Sequence, residues 1–131
     1  MKRLLFVEDE RDLTEYLEEN LSHRFKVSIC EDAPSAIEEL SKYDFDVIIL
    51  DIKYNGFGSA YDVLSFISRN CLDLKGKIYI STAYLKDGHD LIEEFSRLLH
   101  IDQLFAKPNG FFDLLEKLEE EEVWENPQNL L

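Results

Sequence analysis

Five short, largely apolar runs, each stopping at a polar residue and each parted from the next by a longer amphipathic stretch, constrain this chain more than any other feature. The runs are Leu4 to Val7, Phe25 to Cys30, Val47 to Leu50, Lys77 to Ser81 and Leu104 to Ala106. They are too short for helices and mostly β-branched or aromatic, which reads as strands. The stretches between them carry apolar residues at helical spacing. Leu13, Tyr16, Leu17 and Leu21 form one stripe within Arg11 to Ser22, and further helices are expected over Pro34 to Leu40 and Ser59 to Cys71. Pro34 suits a first helical turn, and Ser59 with Asp62 three residues on has the spacing of a capping box. A fourth helix is expected after Asp87-Gly88, with Leu91, Phe95, Leu98 and Leu99 buried. A fifth starts near Asn109, with Phe111, Phe112, Leu115 and Leu118 as its stripe. Strands alternating with helices predict an α/β fold with a mainly parallel sheet.

The 131 residues have room for one domain with an ordinary core, needing neither disulfide nor structural zinc. Cys30 and Cys71 offer no metal-binding spacing and suit a reducing cytosol. A formal charge of −14 repels phosphate backbones and anionic headgroups, so neither nucleic acid nor a membrane surface is an expected direct partner. The acid excess persists when Glu119 to Glu122 and Glu125 are set aside. Leu4 to Val7 is too short for a signal-peptide core, and no run reaches transmembrane length. The last helix is expected to continue into the glutamates and stop before Pro127. This divides the chain into a domain over residues 1–118 and an acidic helical extension and tail over 119–131.

The chemistry lies in what ends each strand. Leu4 to Val7 runs into Glu8-Asp9, Val47 to Leu50 into Asp51, Lys77 to Ser81 into Thr82, and Leu104 to Ala106 into Lys107. In an open parallel sheet all carboxyl ends share one edge, and ligands bind there at the crevice where strand order reverses. Glu8, Asp9 and Asp51 brought together repel one another without a cation. An all-oxygen set lacking His and Cys favours Mg²⁺. Mg²⁺ binds through one or two carboxylates and phosphate oxygens, which leaves a carboxylate free to act as nucleophile. Lys107 and Thr82 add a positive charge and a hydrogen-bond donor for phosphoryl oxygens, so the set suits phosphoryl transfer onto Asp51. Each residue also has a plainer use: Asp9 as a helix cap, Thr82 in a turn, Lys107 as a surface lysine. Their joint arrangement favours the functional reading. His23, His89 and His100 are scattered and form no ligand set.

At these residues the chain resembles the receiver domains of two-component response regulators. The resemblance is carried by Phe6-Val-Glu-Asp-Glu10, Val47-Ile-Ile-Leu-Asp51, Ile80-Ser-Thr-Ala83 and Ala106-Lys-Pro108, in that order, and spans residues 3–118. It implies a flavodoxin-like, doubly wound five-stranded parallel sheet in the order 2-1-3-4-5 with five helices. It further implies that Asp51 accepts a phosphoryl group from a phosphohistidine on a sensor histidine kinase or a phosphotransfer protein. Mg²⁺ would be held by Asp9, Asp51 and the backbone carbonyl of Lys53, with Glu8 acting largely through water. Thr82 and Lys107 would bind the phosphoryl oxygens, and the protein would act as an enzyme only toward itself. It would signal to an output partner by a change of conformation.

Three departures from the family pattern stand out. Asn55 replaces the usual proline in the loop after Asp51, with Gly56 and Gly58 beyond it. The switch position, which in many receivers holds a Tyr or Phe three residues before the lysine, is Leu104, and strand alternation turns the neighbouring Phe105 to the opposite face. The segment from Thr82 to Lys107 is a few residues longer than usual. Lys53 and Tyr84, each two residues past a site residue, are expected to shield the acyl phosphate from water and prolong its life. Trp124 lies past most of the acidic run, where a docking residue and the start of a linker are alternatives to the favoured reading, a loosely packed helix end.

The main alternative is a phosphorylation-independent pseudo-receiver serving as an interaction scaffold. A nucleotide-binding enzyme would need a hydroxyl- or glycine-rich phosphate loop where Glu8-Asp-Glu-Arg-Asp12 stands. An aspartyl-phosphate phosphatase would need a second acid two residues after Asp51, where Lys53 stands.

Overall fold

In the computed structural model, which describes residues 1–52, 58–70 and 76–124, strands and helices alternate along the described residues. The elements are β1 (Lys2–Val7), α1 (Arg11–Leu21), β2 (Phe25–Cys30), α2 (Ala33–Lys42), β3 (Val47–Leu50), α3 (Ala60–Asn70), β4 (Lys77–Thr82), α4 (Leu85–Phe95), β5 (Gln103–Ala106) and α5 (Asn109–Trp124). All strand pairs are parallel and the sheet order is β2-β1-β3-β4-β5, the flavodoxin-like α/β arrangement.

Side-chain alternation divides the apolar residues between two cores, one on each face of the sheet. On one face Leu5, Val7, Ile48, Leu50, Ile78 and Ile80 pack against α2, α3 and α4 through residues such as Leu40, Leu64, Ile67 and Phe95. On the other, Leu4, Phe6, Val47, Ile49, Tyr79 and Phe105 pack against α1 and α5 through Leu17, Leu21, Phe111, Leu114 and Leu118. Covering both faces explains why β3 reads as an unbroken apolar run with every residue buried.

Local signals set the starts of α2 and α3. Asp32 caps α2, its Oδ1 accepting from the Ser35 N–H at 2.8 Å, with Pro34 in the first turn. Ahead of α3, Asp62 accepts from the Ser59 N–H at 2.8 Å and from its hydroxyl at 3.2 Å, the reach-back arm of a capping box. Gly58, with φ of +81°, lies just before it, and a Cβ there would meet the Ala33 Cβ at 2.6 Å.

The structure corrects the sequence reading in two places. The fourth helix starts at Leu85, so Asp87-Gly88 lies inside it rather than before it. Gly88 is there for close approach, not for a turn: a Cβ would come within 2.9 Å of Leu104 Cδ1 and 3.5 Å of Thr82 Cγ2. α4 ends at Phe95, so Leu98 lies in the connection after it and is 65% exposed instead of buried. Secondly, Tyr16 and Phe112 are half-exposed, not core residues, and meet edge-on at a centroid distance of 5.2 Å at the rim of the α1–α5 contact. Leu114 takes the core position on α5. Cys30 is buried, and Cys71 lies outside the described residues.

Candidate functional site

The order of the sheet reverses between β1 and β3: the chain goes from β1 out to β2, returns to β3, and continues away through β4 and β5. The carboxyl ends of β1 and β3 therefore flank the crevice. Glu8 and Asp9 leave one of them and Asp51 the other. The sheet register carries on past the strands, with the Glu8 N–H donating to the Cys30 carbonyl at 2.9 Å and the Asp51 N–H to the Val7 carbonyl at 3.1 Å. One carboxylate oxygen from each of Glu8, Asp9 and Asp51 lies within 4.8 Å of the other two.

Thr82 ends β4 and Lys107 follows β5, held beside it by the Lys107 N–H donating to the Thr82 carbonyl at 2.9 Å. The Lys107 ammonium donates to Glu8 Oε1 in a very short contact and lies 3.4 Å from Asp51 Oδ2. The other Glu8 oxygen accepts from the Asp9 and Glu10 N–H groups at 3.1 and 3.2 Å. Thus the strand ends bring Glu8, Asp9, Asp51 and Lys107 together, with Thr82 alongside. The contact between Glu8 and Lys107 was not visible in the sequence, because nothing in it tells which carboxylate a lysine will choose.

Burial makes these charges consequential. Glu8 is fully buried and Asp51 nearly so. Desolvation pushes the Glu8 carboxyl up from 4.5 to about 7, helped by the Asp51 charge, while Lys107 and the Glu10 N–H pull it part of the way back. For Lys107, burial alone would lower the pKa. The hydrogen bond and charge of Glu8, together with Asp51, outweigh burial and hold the ammonium above the ordinary lysine value. A cluster of hard oxygen donors short of positive charge matches what Mg²⁺ requires, so the residues present fit that ion.

The plainer roles resolve as follows. Asp9 does not cap α1, where Glu10 occupies the cap position without a side-chain bond. Thr82 is fully buried, and its Oγ1 accepts from the Tyr84 N–H at 3.0 Å, so it does close a turn while its own O–H stays available. Tyr84 is the first residue ahead of α4 and is 48% exposed. Leu104 packs on the α2–α4 side against Gly88, and Phe105 lies on the α1–α5 side, edge-on to Tyr79 at 5.9 Å. Lys53, Asn55 and Gly56 lie outside the described residues. Sequence reasoning passed over Ser81, a fully buried hydroxyl beside the site. The available signal was a polar residue at the last inward position of an apolar run.

No protein-family model matches the sequence, and no curated protein does either. Solved structures match over nearly the whole chain. The response regulator TrrA from Thermotoga maritima, solved in complex with Mg²⁺ and BeF, is 30% identical, with a TM-score of 0.71 over 92% of this chain and 98% of that one. The non-phosphorylated HemR receiver domain from Leptospira biflexa is 24% identical, with a TM-score of 0.76 over 93% and 94%. A CheY-like response regulator receiver domain protein from Methanospirillum hungatei is 20% identical, with a TM-score of 0.74 over 98% of both chains. Fold, strand order and similarity agree, and the chain belongs to the CheY-like response regulator receiver domains.

Proposed function

We propose that this domain is switched by phosphorylation of Asp51, with the phosphoryl group taken from a phosphohistidine on a sensor kinase or phosphotransfer protein. The observation that carries this reading is the meeting of Glu8, Asp9, Asp51 and Lys107 at the crevice of the sheet. Glu8, Asp9 and Asp51 would hold Mg²⁺. When bound, that ion supplies positive charge shared between the carboxylates and the phosphoryl oxygens. A carboxylate oxygen of Asp51 attacks phosphorus and the P–N bond to the donor imidazole breaks. Its electron pair stays on the nitrogen, which takes up a proton. Lys107 donates to the transferred group's oxygens, and the free O–H of Thr82 donates to another. Hydrolysis of the acyl phosphate resets the domain.

Residues 1–118 form the receiver unit on this reading, with Leu118 among the core residues of α5, and 119–131 extend it. The kinase side places it in the cytoplasm. No helix among the described residues is long and apolar enough to cross a membrane. Lys53 and Tyr84 set the lifetime of the phosphoryl group by excluding water. Replacing both with alanine speeds its loss, and an unchanged decay rate would remove them from that role.

Intact mass after incubation with Mg²⁺ and a small acyl-phosphate donor tests the main reading. One phosphoryl adduct is expected, absent from Asp51→Asn and from metal-free samples. No adduct with several donors, and no complex with beryllium fluoride, would leave the phosphorylation-independent scaffold as the function.

A further inference from the structure

A strand stands between Lys107 and its acceptors. β4 lies between β3 and β5, so a side chain rooted just past β5 crosses the end of β4 to reach Asp51, and continues past β3 to reach Glu8. Neighbouring strands are about 4.8 Å apart, so reaching Asp51 takes about two such spacings. The β4 residue on that face at that level is Ser81. Alternation sets it on the same side as Tyr79. Continuing the register from Leu50 and Ile80 sets it beside Asp51, and its partner on β5 is Phe105.

The Ser81 hydroxyl is fully buried and, among the described residues, is the buried side-chain polar group with no hydrogen-bond partner. Such a group normally costs stability, and an apolar residue there would avoid the cost. An ammonium has three donors, and Glu8 and Asp51 account for two from Lys107. A cation held by Glu8, Asp9 and Asp51 would compete for the Glu8 oxygen that Lys107 now occupies.

We propose that Ser81 is a positioning residue for Lys107: its hydroxyl accepts from the ammonium when Glu8 turns to the cation, and so keeps the charge aimed at the phosphoryl group on Asp51. This rests on the phosphoacceptor reading above.

The test compares the full chain with Ser81→Ala, with Ser81→Val as a space-filling alternative, and with Ser81→Thr, which keeps the hydroxyl. Ser81→Ala is expected to resist urea at least as well as wild type without metal. It should bind beryllium fluoride in the presence of Mg²⁺ about three- to tenfold more weakly. Its Lys107 ammonium signal in ¹⁵N NMR, protected in the Mg²⁺-loaded wild type, is expected to be lost to exchange with water. Ser81→Thr restores both. A hydroxyl with only a structural role would shift the urea midpoint and leave the beryllium fluoride affinity and the ammonium signal unchanged, which overturns the proposal. A wild type that takes up neither Mg²⁺ nor beryllium fluoride overturns the phosphoacceptor reading and this inference together.

Discussion

Lys107→Met keeps the aliphatic stem and removes the charge, and its effect on stability depends on pH in a direction set by Glu8. Glu8 binds its proton up to about pH 7 in the folded chain and only to about 4.5 otherwise. Between those values the native state holds more protons than the unfolded one, so stability falls as pH rises through the window. At about 1.4 kcal/mol per pH unit, the Glu8 contribution to that fall is capped at roughly 3 kcal/mol in wild type. The raised pKa of Lys107 contributes stability that is lost only above the ordinary lysine range, outside this window. Removing the ammonium deletes both influences by which Lys107 holds Glu8 down, so Glu8 keeps its proton past pH 7 and the fall continues. The Lys107–Asp51 attraction at 3.4 Å, roughly 5 kcal/mol before desolvation at an effective dielectric near 20, is lost at either pH. The quantity to measure is therefore a difference of differences. Urea unfolding followed by circular dichroism should show Lys107→Met losing about 1–1.5 kcal/mol more, relative to wild type, at pH 8 than at pH 5. Millimolar Mg²⁺ should narrow the gap, since it replaces the missing positive charge. A gap equal at both pH values, or wider at pH 5, would refute the reasoning.

Three other outcomes are expected. Mg²⁺ affinity should rise by up to about tenfold per pH unit until about pH 7 and then level off, because Glu8 must lose its proton to serve a cation; calorimetry in buffers of different ionisation enthalpy should detect the released proton. Gly58→Ala should cost more than about 1 kcal/mol in urea unfolding, since it places a Cβ at positive φ and against Ala33. Gly88→Ala should gain up to about 1 kcal/mol of helix preference only in a Leu104→Ala background, where the 2.9 Å contact is absent, so a double-mutant cycle should show clear coupling between the two positions.

Most of the fold was legible because periodicity reports burial directly. Val47 to Leu50 reads as a strand from its length and its β-branched residues, and Asp51 follows at its carboxyl end. The order of the strands came from family resemblance, since apolar patterning does not say which strand lies beside which. Gly88 misled because glycine marks both turns and close packing, and only the position of Leu104 tells the two apart. Phe112 and Tyr16 misled because a helical stripe wider than its core leaves some apolar residues at the rim, where aromatic rings pair with one another. Within the site, the sequence named the groups but not their pairing. That Lys107 binds Glu8 as well as facing Asp51 depends on how far its stem reaches across the strand ends, a property of the assembled sheet.

The sheet also works as a partition. Glu8, Asp51, Ser81 and Lys107 belong by alternation to the side covered by α1 and α5, while Leu104 and Gly88 meet on the side covered by α2, α3 and α4. Thr82 is the residue at the boundary: it follows Ser81 on the strand, its Cγ2 faces the Gly88 backbone, and its carbonyl holds Lys107. On the proposed reading, Thr82 is a short path, among the described residues, by which a charge gained at Asp51 reaches the Leu104 side. Leu104 stands there where many receivers carry a ring, so on that reading the charge is felt as a push on a leucine rather than the rotation of a ring.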